Sequence, residues 1–205
     1  MRLICLADTH NEHQNIPIPE GDIVIHAGDC TDGGTINETK KFLEWFSTLP
    51  HKTKILVPGN HDFYFEKPEN LGNIPENIHL LVDQEIIING IKFWGSPVTP
   101  GMENWAFNRE RGKKIREHWN LIPDDTDILI THTPPYGILD EIDSGLSLGC
   151  EELTQVLPLV QPKLHLFGHV HNASGSTKQN GIKYFNLSIL DERMRIMHSP
   201  VIIDF

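Results

Sequence analysis

Five short motifs follow one another along this chain: Asp8-x-His10, Gly28-Asp29, Gly59-Asn60-His61-Asp62, a lone His132, and Gly168-His169-x-His171. Carboxylate, imidazole and amide oxygen are the donors that hard and borderline divalent cations prefer. Two such ions about 3.5–4 Å apart need one ligand that serves both, and an aspartate is suited to bridge. Each motif alone has an ordinary explanation, because Asp after a strand is a common turn residue and Gly-Asn is common turn chemistry. Their joint occurrence in this order predicts a site for two divalent metal ions, with Mn, Fe or Zn favoured and Mg compatible. Such a pair lowers the pKa of a bridging water towards about 7 and neutralises phosphate oxygens, which is the chemistry of phosphate-ester hydrolysis.

The elements that must position these groups are short, continuous Ile/Leu/Val runs. Arg2–Ala7, Asp22–Ala27, Lys54–Val57, Asp127–Thr131 and Lys163–Phe167 read as strands buried on both faces. Each motif falls just past the C-terminal end of one of them, where open α/β sheets place their ligands. The glycines before Asp29, Asn60 and His169 are expected to let the backbone turn beside the ions. Thr35-x-x-Glu38 is a capping box that opens a helix with Phe42, Leu43, Phe46 and Leu49 on one face, stopped by Pro50. Asn108–Leu121 and Cys150–Val160 read as two further helices. Asn89-Gly90 joins Glu85–Ile88 to Ile91–Trp94 in a tight hairpin, Asn180-Gly181 marks a second before Ile182–Leu187, and Pro200–Phe205 closes the chain as a strand. Strands linked by helices early and by hairpins late predict an α/β fold of two mixed β-sheets packed as a sandwich and flanked by helices.

The ordered motif set resembles the signature of calcineurin-like metallophosphoesterases: Asp-x-His, Gly-Asp, Gly-Asn-His-Asp/Glu, His, Gly-His-x-His. That resemblance implies one metal held by Asp8, His10, Asp29 and His171, and a second held by Asp29, Asn60, His132 and His169. It makes His61 the non-ligand histidine beside the scissile phosphate, able to donate a proton to the leaving oxygen. The chain is also similar to a narrower branch, the short metallophosphoesterase-domain-containing proteins. The stretches that carry this are Gly21–Asp29, Leu49–Lys52, Phe93-Trp94-Gly95-Ser96-Pro97, Thr131-His132-Thr133-Pro134-Pro135, Gly149–Leu153, Pro162–His169 and Ser199–Phe205. Together they cover nearly the whole chain. Protein phosphatases of the superfamily extend Gly-Asp into a Val-Asp-Arg-Gly run whose arginine grips a dianionic phosphate. Here the run is Gly28-Asp29-Cys30-Thr31-Asp32-Gly33-Gly34, without arginine. A diester carries one fewer charge, so the expectation is a phosphodiesterase on small nucleotide substrates, cyclic ones included. A nuclease on short single-stranded ends and a phosphomonoesterase are the alternatives. A non-catalytic scaffold of this fold is disfavoured, because all seven ligand positions and His61 are filled.

Other residues that could do chemistry have structural readings beside the functional ones. His26, inside a strand, reads as a hydrogen-bonded core histidine. Arg109, Arg111, Lys113, Lys114 and Arg116 could guide a phosphate, but their Glu110–Lys114 and Lys113–Glu117 spacings also suit a solvated helix face. Trp94, Trp105 and Phe107 could line a base-stacking pocket or simply fill a core. Asp62 could orient His61 or shape a turn. Cys150 reads as packing.

The bulk numbers set the frame. A chain of 205 residues fits a single domain, 1–205. A formal charge of −11 makes long nucleic acid an unsuitable sequence-independent partner, leaving small phosphate esters. The 3 cysteines are far apart and odd in number, which favours reduced thiols. No apolar run is long enough for a bilayer, and the first stops at Asp8, so a cytoplasmic protein is expected.

Overall fold

The computed structural model describes residues 1–101 and 104–205. Five strands form the first sheet: β1 (Arg2–Leu6), β2 (Ile23–His26), β3 (Thr53–Leu56), β4 (Ile78–Leu80) and, at the C-terminus, β13 (Val201–Asp204), in the order β13-β1-β2-β3-β4. β1 to β4 run parallel and β13 is antiparallel to β1. The second sheet holds β5 (Gln84–Ile88), β6 (Ile91–Ser96), β9 (Ile128–Thr131), β10 (Leu164–Phe167), β11 (Gly175–Gln179) and β12 (Ile182–Asn186), ordered β11-β12-β10-β9-β6-β5. Its central strands are parallel, and antiparallel hairpins close both edges.

The sheets pack face to face because strand residues alternate between two apolar environments. Leu3, Cys5, Ile23, Ile25 and Ile55 point inward and meet Phe93, Ile128, Ile130, Leu164 and Leu166 from the opposite sheet. Ile4, Leu6, Val24 and Leu56 point outward onto Phe42, Leu43 and Phe46 of helix α1 (Ile36–Thr48). Trp94, Leu129 and Phe167 form the outer face of the second sheet, covered by α2 (Lys113–Trp119) and α3 (Glu151–Val160). This double burial is why the strands read as continuous apolar runs rather than alternating ones. The two sheets are also stitched directly: Ala7 N–H donates to Leu187 O at 3.0 Å, and Ile189 N–H donates to Ala7 O at 3.1 Å.

Local signals act as the sequence predicts in most places. Thr35 Oγ1 accepts from the Glu38 N–H while the Glu38 carboxylate accepts from the Thr35 N–H, completing the capping box. Asn89 and Gly90, and again Asn180 and Gly181, take the positive φ values that two-residue hairpin turns require. One expectation is corrected. The helix predicted over Asn108–Leu121 begins only at Lys113, because Asn108–Arg109 form a short strand, β8, paired with β7 (Thr99–Pro100). Gly112, at φ 85, then breaks the chain direction before the helix.

Candidate metal centre

All the predicted site residues meet at the C-terminal ends of the parallel strands. Asp8 and His10 follow β1, Asp29 follows β2, and Asn60 and His61 follow β3 of the first sheet; His132 follows β9, and His169 and His171 follow β10 of the second. Three groups of donor atoms lie within 4.8 Å of one another: an outer group of Asp8, His10 and His171, a middle group of His10, Asp29 and His61, and an inner group of Asp29, His132 and His169. Asp29 is therefore shared between the inner and middle groups, and His10 between the middle and outer ones.

The loops achieve this through unusual backbone. Asp8, His10, Asp29 and His169 adopt φ values of 54, 38, 53 and 72, a left-handed region that non-glycine residues rarely visit and that clusters at functional sites. The neighbouring glycines work mostly by another route. Gly28 does turn at φ 109, but Gly59 and Gly168 are needed for close approach: a Cβ at Gly59 would collide with Asp29 Oδ1, and one at Gly168 with Asp8 Oδ2. The expected sharp turns thus fall largely on the ligand-type residues themselves.

Ring orientation follows from partners remote in sequence. His132 Nδ1 lies 3.0 Å from Ala27 O, which can only accept, so Nδ1 carries the proton and Nε2 faces inward. Nε2 sits 3.0 Å from Asn60 Oδ1 and 3.2 Å from Asp29 Oδ2. His171 Nδ1 likewise donates to Asp191 O at 3.2 Å, and His61 Nδ1 to Asp32 O at 2.6 Å. Asp8 Oδ2 accepts from the His169 N–H at 2.9 Å and from Ser188 Oγ at 2.5 Å, whereas buried Asp8 Oδ1 and His10 Nε2 lack hydrogen-bond partners.

These observations test whether the residues fit a cation. A lone pair on His132 Nε2, an amide oxygen and a carboxylate oxygen converge on one point and repel one another unless a positive charge sits among them. The electrostatics agree. Burial alone would keep His132 neutral, but the Asp29 carboxylate overrides it and pushes the imidazole pKa up to about 9, so that a proton on Nε2 answers the same demand for positive charge. Burial would likewise raise the Asp29 pKa, and His132 with His10 instead holds it well below the carboxylate range. Desolvation, with His132 close by, lowers half-buried His169 to about 4, so it stays neutral, the form that binds a metal. The orphaned Asp8 Oδ1 and His10 Nε2 make the same case on the outer side. The donor set fits divalent ions.

Three residues take roles that their sequence context did not suggest. Asp62 does not orient His61: its carboxylate accepts from the Gly59 N–H (2.8 Å), the Thr31 N–H (3.0 Å) and Thr31 Oγ1 (2.7 Å), tying the loop after β2 to the loop after β3. Ser188 braces Asp8, and Asn186 braces Ser188, with Oδ1 accepting from the Ser188 N–H at 3.1 Å and Nδ2 donating to Val170 O at 2.9 Å. The available signal was Asn186-x-Ser188 directly after a strand, as polar as the recognised motifs but without a metal-type side chain. Of the aromatic candidates, Trp94 and Phe107 are core, while Trp105 is 47% exposed with its ring 4.4 Å from that of His61. His26 behaves as expected, buried and 3.0 Å from Thr9 Oγ1.

Comparison with known proteins agrees with the geometry. The calcineurin-like phosphoesterase family profile matches residues 1–173. This chain belongs to that family. It is 38% identical over 229 residues to human metallophosphoesterase domain-containing protein 1, covering 99% of this chain and 70% of that protein. A second relative, a probable glycerophosphodiester phosphodiesterase GpdQ of Arcobacter nitrofigilis, is 34% identical over 173 residues, covering 79% of this chain and 61% of the relative. The solved structure of TT1561 from Thermus thermophilus superposes with a TM-score of 0.60 at 15% identity, over 96% of each chain, and shows the same fold. Family membership makes the protein a metal-dependent phosphoesterase, and its His/Asp clusters are able to bind metal. No helix among the described residues is long and apolar enough to cross a membrane.

Proposed function

We propose that residues 1–205 form one domain that hydrolyses phosphodiesters of small nucleotides, cyclic ones included. Asp8, His10, Asp29 and His171 hold one metal ion, and Asp29, Asn60, His132 and His169 hold the other. The carrying observation is the convergence of His132 Nε2, Asn60 Oδ1 and Asp29 Oδ2 on one point, with Asp29 also 3.8 Å from His10. When bound, two divalent ions supply Lewis acidity toward phosphate oxygens and make a coordinated water acidic. The protein does the rest. Asp29 Oδ1 accepts the His61 N–H at 2.9 Å, fixing the His61 backbone to the centre of the site. The Asp32 carbonyl holds the His61 ring by Nδ1, so Nε2 is the atom from which a proton passes to the leaving oxygen.

The diester reading rests on charge. Beyond Gly28-Asp29 the loop brings the Asp32 carboxylate to within 3.3 Å of His10 Nδ1, with Gly33 following where the related phosphatases carry arginine. A carboxylate at this rim disfavours a dianionic monoester more than a monoanionic diester. The relative described as a glycerophosphodiester phosphodiesterase supports the same class. Buried free thiols at Cys5, Cys30 and Cys150 suit a reducing, cytoplasmic setting. Matched p-nitrophenyl diester and monoester assays test the substrate class. We expect the diester to be preferred by at least about tenfold in kcat/KM, roughly 1.4 kcal/mol; equal rates or a monoester preference would overturn it.

A further inference from the structure

Trp105 stands out because a large aromatic ring is half-exposed at the mouth of a polar centre. It is not a mobile surface residue: the next residue, Ala106, donates its N–H to Asn60 O at 3.0 Å, and Phe107 donates to Glu66 Oε1 at 3.0 Å. The segment is thus strapped to the loop that carries Asn60 and His61. The indole packs on the His61 imidazole, with centroids 4.4 Å apart and planes at 39°, and the Phe63 ring centroid lies 6.3 Å away. Trp105 also walls a cavity of about 800 Å³ that Asn104, Arg109, Glu110 and Lys114 line as well. The indole thus links this cavity to His61, the group assigned to protonate the leaving oxygen, by lining the one and touching the other.

The charges in that wall are balanced. Lys114 Nζ is 2.8 Å from Glu110, and Arg109 faces Glu66 at 3.8 Å while its Nη1 donates to Asn108 O at 2.8 Å. A second phosphate would find each cation already facing a carboxylate. A flat neutral ring finds an aromatic platform with amide and charged groups around its edge, the combination by which bases are bound without a net charge requirement.

We infer that the cavity beside Trp105 is the leaving-group subsite, and that it selects phosphodiesters whose leaving alcohol is a nucleoside, its base stacked on the Trp105 indole. The inference deepens the proposed phosphodiesterase reading and rests on it for the place of the leaving group. It makes Trp105 a specificity-determining residue that also positions His61, and the two roles separate experimentally. The substrates are the methyl esters of adenosine 5′-phosphate and of ribose 5-phosphate, which share the scissile bonds and differ only in the base. Metal-loaded wild type should favour the adenosine ester by about tenfold in kcat/KM, the worth of one stacked base. Trp105→Ala should lower both rates through His61 and, in addition, bring the ratio to about one; Trp105→Phe should keep part of it. Adenosine binding to the metal-loaded protein, read by calorimetry, should weaken by about tenfold in Trp105→Ala.

A wild-type ratio near one, or a ratio unchanged in Trp105→Ala, overturns the subsite even while generic diesters are hydrolysed. If no diester is hydrolysed at all, the function reading fails by itself. The adenosine titration then decides the subsite independently: binding lost with Trp105 supports it, and binding indifferent to Trp105 overturns it.

Discussion

The two sheets contribute unlike chemistry to one site. Loops of the five-stranded sheet supply both carboxylates, Asp8 and Asp29, and the Asn60 amide, together with His10 and His61. Loops of the six-stranded sheet supply only imidazoles: His132, His169 and His171. The first half carries charge that must be stabilised, and it is braced accordingly, with Asp29 accepting the His61 N–H and Asp8 accepting the His169 N–H and the Ser188 hydroxyl. The second half carries imidazoles without negative charge of their own, and backbone carbonyls at Ala27 and Asp191 orient two of them. The lesson is that each of the two proposed metal sets draws donors from both sheets. The centre exists only once the sandwich has closed.

The sharpest way to break this division is at the shared carboxylate. Asp29→Asn removes the one charge placed between the inner and middle groups, so both metals should be lost and activity abolished. His132→Ala, from the imidazole half, should lose chiefly one. Elemental analysis after dialysis against Mn or Zn distinguishes them, and retention of both ions in Asp29→Asn would show that the carboxylate half is not the organiser. His61→Gln comes next. It should keep near-normal metal content while losing about 10²–10⁴ in kcat on a ribose-type leaving group, and much less on p-nitrophenolate, which leaves without a proton. Equal losses on both would make His61 structural.

A smaller effect tests the contact between the halves. Ser188, from the second sheet, has a single hydroxyl proton, and the Asp8 carboxylate is its strongest acceptor within reach. Ser188→Ala should weaken metal affinity by about 10–100-fold, as loss of an outer partner of a ligand does, with full occupancy recovered at high metal concentration. Titration of the variant with Mn reads this directly; unchanged affinity would mean Asp8 needs no brace.

The smallest expected effect concerns the layers beneath the site. Each sheet buries one strand histidine among aromatic rings, His26 near Phe42 and His165 near Phe167 and Tyr184. Burial lowers both pKa values from 6.5 to about 3. Below pH 6.5 the unfolded chain therefore takes up protons that the folded chain refuses, and stability falls until the pH reaches about 3. His165 Nε2 reaches Thr131 Oγ1 at 2.8 Å, and that hydroxyl also donates to Thr133 O, so His165→Phe strands no donor. The variant should lose about 2 kcal/mol less than wild type between pH 7 and pH 5. Urea unfolding at the two pH values measures it; parallel losses would place the acid sensitivity elsewhere.

Much of this was legible because it rests on local rules. Runs such as Leu3–Ala7 and Leu164–Phe167 state that strands are buried on both faces, Thr35 and Glu38 cap α1 by themselves, and Asn89-Gly90 turns a hairpin unaided. The ligand-type residues are legible too, since a metal site needs donor side chains that few other roles combine at successive strand ends. What only the tertiary structure decided depends on partners far apart in the chain. Ala27 and Asp191 choose which nitrogen of His132 and His171 is left for the centre of the site, across 105 and 20 residues. Asp62 sits next to His61 in sequence yet turns to Cys30 and Thr31, because their unpaired N–H groups are buried beneath it and the His61 ring already has the Asp32 carbonyl. Asn108–Arg109 has helical spacing but pairs with Thr99–Pro100, since a backbone partner was present there. Trp105 lacks any sequence feature that separates it from core tryptophans; its place on His61 is set by the Ala106–Asn60 hydrogen bond that folds one loop over another.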